Sequence, residues 1–467
     1  MTKLGIMPDS SGTLSSFCRN PLSPSVHRAL FLSLFFFLYC FHPANESFPG
    51  GEGTSFDFSL NAFNRHITNL KDNDKIMQFN RGNQIFKAVW SNDGGPVFQG
   101  LGPLFNSRSC NTCHFLGGRG RNRLDSEKEF YFLIFRVRNG SGAALENYGT
   151  QIQDRSVSKA IPPEAVPNVK YTEIPGTFQD GSKYSLMKPE YKIIQWNYGN
   201  PSEYRLSPRV PPAVFGMGLL SLISDETLKS FEDPEDRNGD GISGRISKVK
   251  NRLTSKEETG RFGWKASQPD VLHITANALH QDMGITSELF PNQNCEPVQS
   301  GCTKTPFVSP EIDGTTLKDL VYSVMMTAVP GRRNLQTQEG KKIFLEIGCG
   351  DCHKSEMRTD THPKFPELSN QTIYPYTDLL LHDMGKELAD QIREGSAEGN
   401  EWRTPPLWGL GLYSLVNQHS FLLHDGRARN AEEAVLWHGG EAEKSRDKYR
   451  NLRRSDREKI LDFLYSL

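Results

Sequence analysis

The sequence predicts a mainly α-helical protein made of two related units with a β-containing insertion between them. Three observations carry this. The pentapeptides Gly82-Asn-Gln-Ile-Phe86 and Gly340-Lys-Lys-Ile-Phe344 share helical spacing, and each leads into a Cys-x-x-Cys-His motif. The stretch from Glu129 to Trp196 is rich in β-branched and aromatic residues. The chain closes with Ser455-Asp-Arg-Glu458, a capping box, followed by Ile460, Leu461, Phe463, Leu464 and Leu467 as an apolar helical stripe.

At 467 residues the chain is too long for one ordinary core, and roughly 150 residues per domain suggests two or three. Lys and Arg number 54 against 55 Asp and Glu, a net charge of -1 that argues against a nucleic-acid partner. Hydrophobic residues at 36% can build cores, whereas 41 Gly and 28 Pro imply much loop and turn. Wholesale disorder and collagen are excluded.

Arg28 followed by the apolar run Ala29 to Phe41 reads as a secretory signal within residues 1–45. The run is too short to cross a hydrocarbon layer of about 30 Å, which needs around 20 residues as a helix. It has no polar face beyond Ser33, so a buried core helix explains it poorly. Cys40 is a candidate lipid anchor, although the bulky Tyr39 before it suits that processing badly. The expected compartment is outside the cytoplasm, in the periplasm or cell envelope.

The chain has eight cysteines, and two of them, Cys18 and Cys40, lie in or before the signal. Four form Cys110-Asn-Thr-Cys113-His114 and Cys349-Gly-Asp-Cys352-His353, the attachment pattern of c-type haem. Composition alone predicts about 0.004 such matches. The thiols of each pair add to haem vinyl groups, and the adjacent His114 or His353 becomes an iron ligand. A zinc site leaves the His after each pair unexplained, and a dithiol redox site would follow a strand, which neither pair clearly does. Cys295 and Cys302, left over in an exported chain, are expected to form a local disulfide.

The expected boundaries are a haem domain of cytochrome-c type over 55–125, the β-containing insertion over 126–215, a helical and loop region over 216–330, and a second cytochrome-c-like haem domain over 331–467. In the last, Thr337 is expected to cap a helix Gln338 to Glu346, with Phe344 packing on the porphyrin. Arg119, Arg121 and Arg123 could pair with haem propionates or form a solvated loop. Phe130 to Val137 and Tyr191 to Trp196 read as strands, and Leu219 to Ile223 as a short buried helix. Asp236, Asn238 and Asp240 have the oxygen-ligand spacing of a calcium loop, but Ser247 stands where its twelfth-position Glu would be. Asp233 could complete that shell; the alternative is an Asx-rich turn.

The chain resembles the di-haem oxidoreductase family, sometimes labelled thiol oxidoreductase and related to bacterial di-haem cytochrome c peroxidases. The residues carrying this are Gly102-Pro-Leu-Phe-Asn106, Asp240-Gly-Ile-Ser-Gly-Arg245, Arg261-Phe-Gly-Trp-Lys-Ala266, Asp282-Met-Gly-Ile-Thr286, Leu381-His-Asp-Met-Gly385, Arg403-Thr-Pro-Pro-Leu-Trp-Gly409 and His424-Asp-Gly-Arg-Ala428.

The resemblance implies that His438 stands where the peroxidases place the distal ligand of the C-terminal haem, with Met384 and His382 as alternatives. It implies that Trp264 lies between the haems. Asp282 corresponds to an acidic residue facing peroxide, and His273 is a substitute acid-base group because Ile274 stands where the family's Gln aligns. No distal ligand of the N-terminal haem is found, since Phe130 occupies the aligned position. The implied activity is peroxidase-like. A small cytochrome or cupredoxin would feed electrons to the C-terminal haem, and the N-terminal haem would face peroxide. The alternatives are a pure electron carrier and an enzyme that oxidises side chains of a partner protein.

Overall fold

The protein was analysed as a computed structural model that describes residues 45–94, 98–121 and 133–467. The expected signal segment with Cys40, and also Arg123 and Phe130, lie outside the described residues. Residues 45–467 cluster as one unit, and the main core cluster runs from Ala62 to Leu467. No helix among the described residues is long and apolar enough to cross a membrane.

The mainly α expectation is overturned. Helix makes up 29% of the chain and strand 20%, in twelve short α-helices and six small sheets among the described residues. Gly and Pro break the helices early, and the expected β-containing stretch forms strands at Ile134–Arg138 and Lys183–Trp196. The architecture is therefore mixed, not cytochrome-like.

Seven helices position the site: α1 Asn73–Lys87, α2 Cys110–Cys113, α3 Val271–Met283, α4 Gly314–Met325, α5 Gln338–Glu346, α6 Ala431–Trp437 and α7 Arg454–Ser466. Asp72 caps α1, its carboxylate accepting from the Asp74 and Lys75 amides. Phe79, Gly82 and Phe86 then share the buried face of α1 at helical spacing. Asp270, Asp313 and Asn430 cap α3, α4 and α6 in the same way.

Two of the expected caps are corrected. α5 has the predicted bounds, but Thr337 makes no cap hydrogen bond, because its hydroxyl donates to the Asn334 carbonyl and accepts from Arg332. α7 starts one residue ahead of Ser455, so that hydroxyl sits inside the first turn, and Glu458 pairs with Arg454 at 2.8 Å. The stripe itself is buried as expected at Ile460, Phe463, Leu464 and Leu467.

Five strands matter here: β1 Ile134–Arg138, β2 Gln151–Ile152, β3 Ala165–Thr177, β4 Lys183–Trp196 and β5 Arg205–Arg209. β1 lies between β2 and β5, antiparallel to both. Register sets Arg136 opposite both Gln151 and Ser207 on one face, while Phe135, Val137 and Ile152 occupy the other and pack in a second core cluster. β3 and β4 form a long hairpin whose tip reaches α7. There the Arg457 guanidinium lies 3.7 Å from the Phe178 ring centre and donates to Asp180 and Ser182.

Candidate functional site

Each Cys-x-x-Cys-His motif lies downstream of a helix, α1 or α5, that carries a Phe near the motif histidine. Phe86 on α1 places its ring 6.3 Å from His114; Phe344 on α5 places its ring 6.2 Å from His353. His114 Nδ1 lies 2.6 Å from the Pro212 carbonyl and His353 Nδ1 2.9 Å from that of Tyr376. A carbonyl only accepts, so Nδ1 carries the proton in both rings and Nε2 keeps its lone pair. Burial pushes both imidazoles down to about 4, against the hydrogen bond to the carbonyl. Both rings are therefore neutral donors at pH 7.

The thiols are not disulfide-bonded. Burial, and then the neighbouring Asp282 charge, push Cys110 and Cys113 up to about 12; burial pushes Cys349 to about 12 and raises Cys352. Such thiols stay protonated and make poor redox nucleophiles or zinc ligands. Cys295 and Cys302 are disulfide-bonded, as the sequence led us to expect.

His114, His353, Cys349, Cys352 and His438 line one apolar-walled cavity, open along part of its wall. His438 follows α6 and donates its Nδ1–H to the Ala434 carbonyl at 2.6 Å. It thus repeats the tautomer of His114 and His353, and its charge is among those lowering the pKa of His353. His382 also reaches the cavity, but its Nε2 is 2.8 Å from Asp378 and its Nδ1 2.6 Å from Glu441. Burial opposes its charge most, yet Asp378 and Cys352 together outweigh burial and keep the ring protonated well above its usual range. With both nitrogens engaged, His382 has no lone pair for a metal. Met384 lines the cavity and packs against both core clusters.

Trp264 lines the cavity with its Nε1 donating to the Val210 carbonyl at 2.8 Å and the Arg119 guanidinium 5.5 Å from its ring centre. Asp282 and Ile274 also line it. His273 does not. Its Nδ1 is 2.8 Å from Asp270 and its Nε2 accepts from the Arg252 amide, so both nitrogens serve the α3 N-terminus, away from the cavity. The acid-base role expected of His273 is withdrawn on that ground.

Sequence reasoning missed Gln151. It lies on β2, far from α3 in the chain, yet its Nε2 donates to Asp282 Oδ1 at 2.7 Å in the cavity wall. It also missed Arg403. Arg403 and Arg119 are buried in the wall and make no ion pair among the described residues; each donates to backbone carbonyls instead. Burial holds Arg403 down to about 10. Such guanidiniums suit anionic groups entering the cavity. Of the Arg119, Arg121 and Arg123 trio, Arg119 alone reaches the cavity wall among the described residues.

In the Asp236–Asp240 loop the acceptors are turned inward. Asp236 accepts from the Gly241 amide, Asn238 from Asp240, and Asp240 from Ile242, while Asp233 accepts from Arg237 and Asn238. This is the hydrogen-bonding pattern of Asx turns.

Comparison with known proteins agrees with this geometry. The family described as "Di-haem oxidoreductase, putative peroxidase" matches residues 44–135 and 164–467. No curated protein and no solved structure matches the chain. With both Cys-x-x-Cys-His motifs and nearly the whole length inside the match, the chain belongs to the di-haem oxidoreductase family.

Proposed function

We propose that this chain is an exported oxidoreductase of the periplasm or cell envelope that carries two covalently attached c-type haems and reduces peroxide. The observation that carries the reading is the shared cavity lined by His114, His353, His438, Cys349 and Cys352, where each imidazole has Nδ1 bonded to a backbone carbonyl and keeps its Nε2 lone pair. Cys110, Cys113 and His114 hold the first haem. Cys349, Cys352 and His353 would hold the second, with His438 available as a further ligand. The apolar cavity and the buried Arg119 and Arg403, which make no ion pair among the described residues, fit a flat apolar macrocycle bearing carboxylates. When bound, the haems supply one-electron redox chemistry at iron.

The rest is done by side chains. Trp264, in the cavity wall, lies on the electron route. Asp282, which burial raises to about 6 against the Gln151 N–H and the Arg136 charge, accepts and returns a proton at the reacting oxygen near neutral pH. Hydrogen peroxide takes two electrons and two protons and leaves as two waters. The electrons come from a small cytochrome or cupredoxin donor. A calcium ion at Asp236, Asn238 and Asp240 is not part of this reading, because the loop oxygens already cap amides.

Electron paramagnetic resonance of the haem-loaded protein tests the proposal. A high-spin ferric signal that disappears with stoichiometric peroxide, beside a low-spin signal abolished in H438A, is expected. Two low-spin signals unchanged by peroxide would replace the enzyme with an electron carrier.

A further inference from the structure

α1 also walls a second pocket, an open one of about 500 Å³ that shares no lining residue with the cavity of the two motifs. That volume lies inside the range of about 300 to 1,000 Å³ that small ligands occupy. Polar side chains enter it from two segments. Asn80, Asn83 and Lys87 follow one another at helical spacing along α1, beside the buried stripe of Phe79, Gly82 and Phe86. Asn61 and Asn64 come from a turn closed by the Asn64 amide on the Asn61 carbonyl at 2.9 Å. Phe79 and His66 add a small aromatic surface, their rings in edge contact 5.5 Å apart.

None of these four asparagine side chains makes a hydrogen bond among the described residues. Elsewhere in the chain Asn106, Asn139, Asn251 and Asn417 engage theirs inside the protein. His66 donates its Nδ1–H to the Ile67 carbonyl at 2.9 Å, so its Nε2 is an acceptor. Arg65 at the same pocket is already paired with Asp57 at 2.5 Å. Lys87 makes no ion pair among the described residues; desolvation lowers its pKa and no acid acts against that. The pocket therefore offers four free amides, one imidazole acceptor and one uncompensated cation.

We propose that this pocket binds an acidic sugar, a ring of neighbouring hydroxyls that bears one carboxylate or phosphate. A primary amide has an acceptor oxygen and two donor N–H groups, and a hydroxyl both donates and accepts, so the two match in both directions. A bare anion only accepts, and would leave the amide oxygens and His66 Nε2 without donors. An uncharged sugar would leave Lys87 unmet. Phe79 supplies an apolar surface for the C–H face of the ring. The proposal is independent of the haem reading.

Isothermal titration calorimetry of the haem-loaded protein with D-glucuronate, glucose 6-phosphate, D-glucose and sulfate tests it. At least one acidic sugar is expected to bind in the millimolar range or tighter, about threefold or more better than glucose, with sulfate weakest. The order of the two acidic sugars tells a carboxylate from a phosphate. N80A/N83A should weaken acidic-sugar binding about tenfold, and Ala at these helix positions favours the fold. K87Q should bring the acidic sugars down to the level of glucose and leave glucose unchanged. Melting temperature and haem spectra should hold in both variants, since neither touches the other cavity. Wild-type affinity in a folded N80A/N83A protein would overturn the proposal. So would sulfate binding as tightly as the acidic sugars, or no heat of binding from either acidic sugar.

Discussion

Gly82 lies so close to Asp319 that a Cβ on it would sit 1.9 Å from the Asp319 carbonyl oxygen. The equivalent glycine of the second unit, Gly340, repeats this against Lys459, at 2.0 Å. The shared Gly-x-x-Ile-Phe sequence is therefore the crossing point of two helix pairs, α1 on α4 and α5 on α7. Four residues later each helix presents the Phe that packs near a motif histidine. G82A and G340A should each force the helices apart and cost about 1–3 kcal/mol, measured by chemical denaturation. Unchanged stability would show that the crossing relaxes without loss.

Asp282 has a pKa raised by burial to about 6 from the usual 3.8. Between those values the folded state binds more protons than the unfolded, so its contribution to stability falls as pH rises from about 4 to 6. D282N should therefore raise the melting temperature at pH 8 more than at pH 4. Peroxide turnover should rise with pH through about 6 in the wild type and lose that limb in D282N.

His382 is a cation held between Asp378 and Glu441. Its folded pKa is raised, so its stabilisation is complete below about 6.5 and fades only as pH climbs through the folded value well above that. H382L leaves two buried carboxylates facing each other and should cost about 3–5 kcal/mol at pH 6. Equal stability of the two proteins at pH 6 would contradict this arrangement.

Replacement of Cys349 and Cys352 by Ser should leave one covalent haem instead of two, read as protein mass after denaturation. H438M should keep the C-terminal haem six-coordinate and raise its reduction potential, since a thioether replaces an imidazole. An unchanged potential would remove His438 from the iron.

The Cys295–Cys302 bridge closes a short loop beside Leu104 and Ile161. Its loss in C302A should cost about 2.5 kcal/mol on the loop-entropy estimate. The spectra of both haems should not change, because neither cysteine lines the cavity.

What the residues alone determined was local chemistry. The two Cys-x-x-Cys-His motifs, the Gly-x-x-Ile-Phe helices leading to them, the buried C-terminal stripe and the Cys295–Cys302 pair all depend on spacing within a few residues, and spacing survives in one dimension. The balance of helix and strand did not follow, because the β-rich stretch is stabilised by pairing across distant strands and by the grip of Arg457 on the hairpin tip. The fate of the histidines was likewise decided in three dimensions. His273, His382 and His438 are alike in sequence, yet only the acceptors that folding brings to each ring leave His438 a free Nε2. Gln151 meets Asp282 across 131 residues of chain. No local pattern records that meeting; the strand register that turns Gln151 toward the cavity exists only once β1, β2 and α3 have packed.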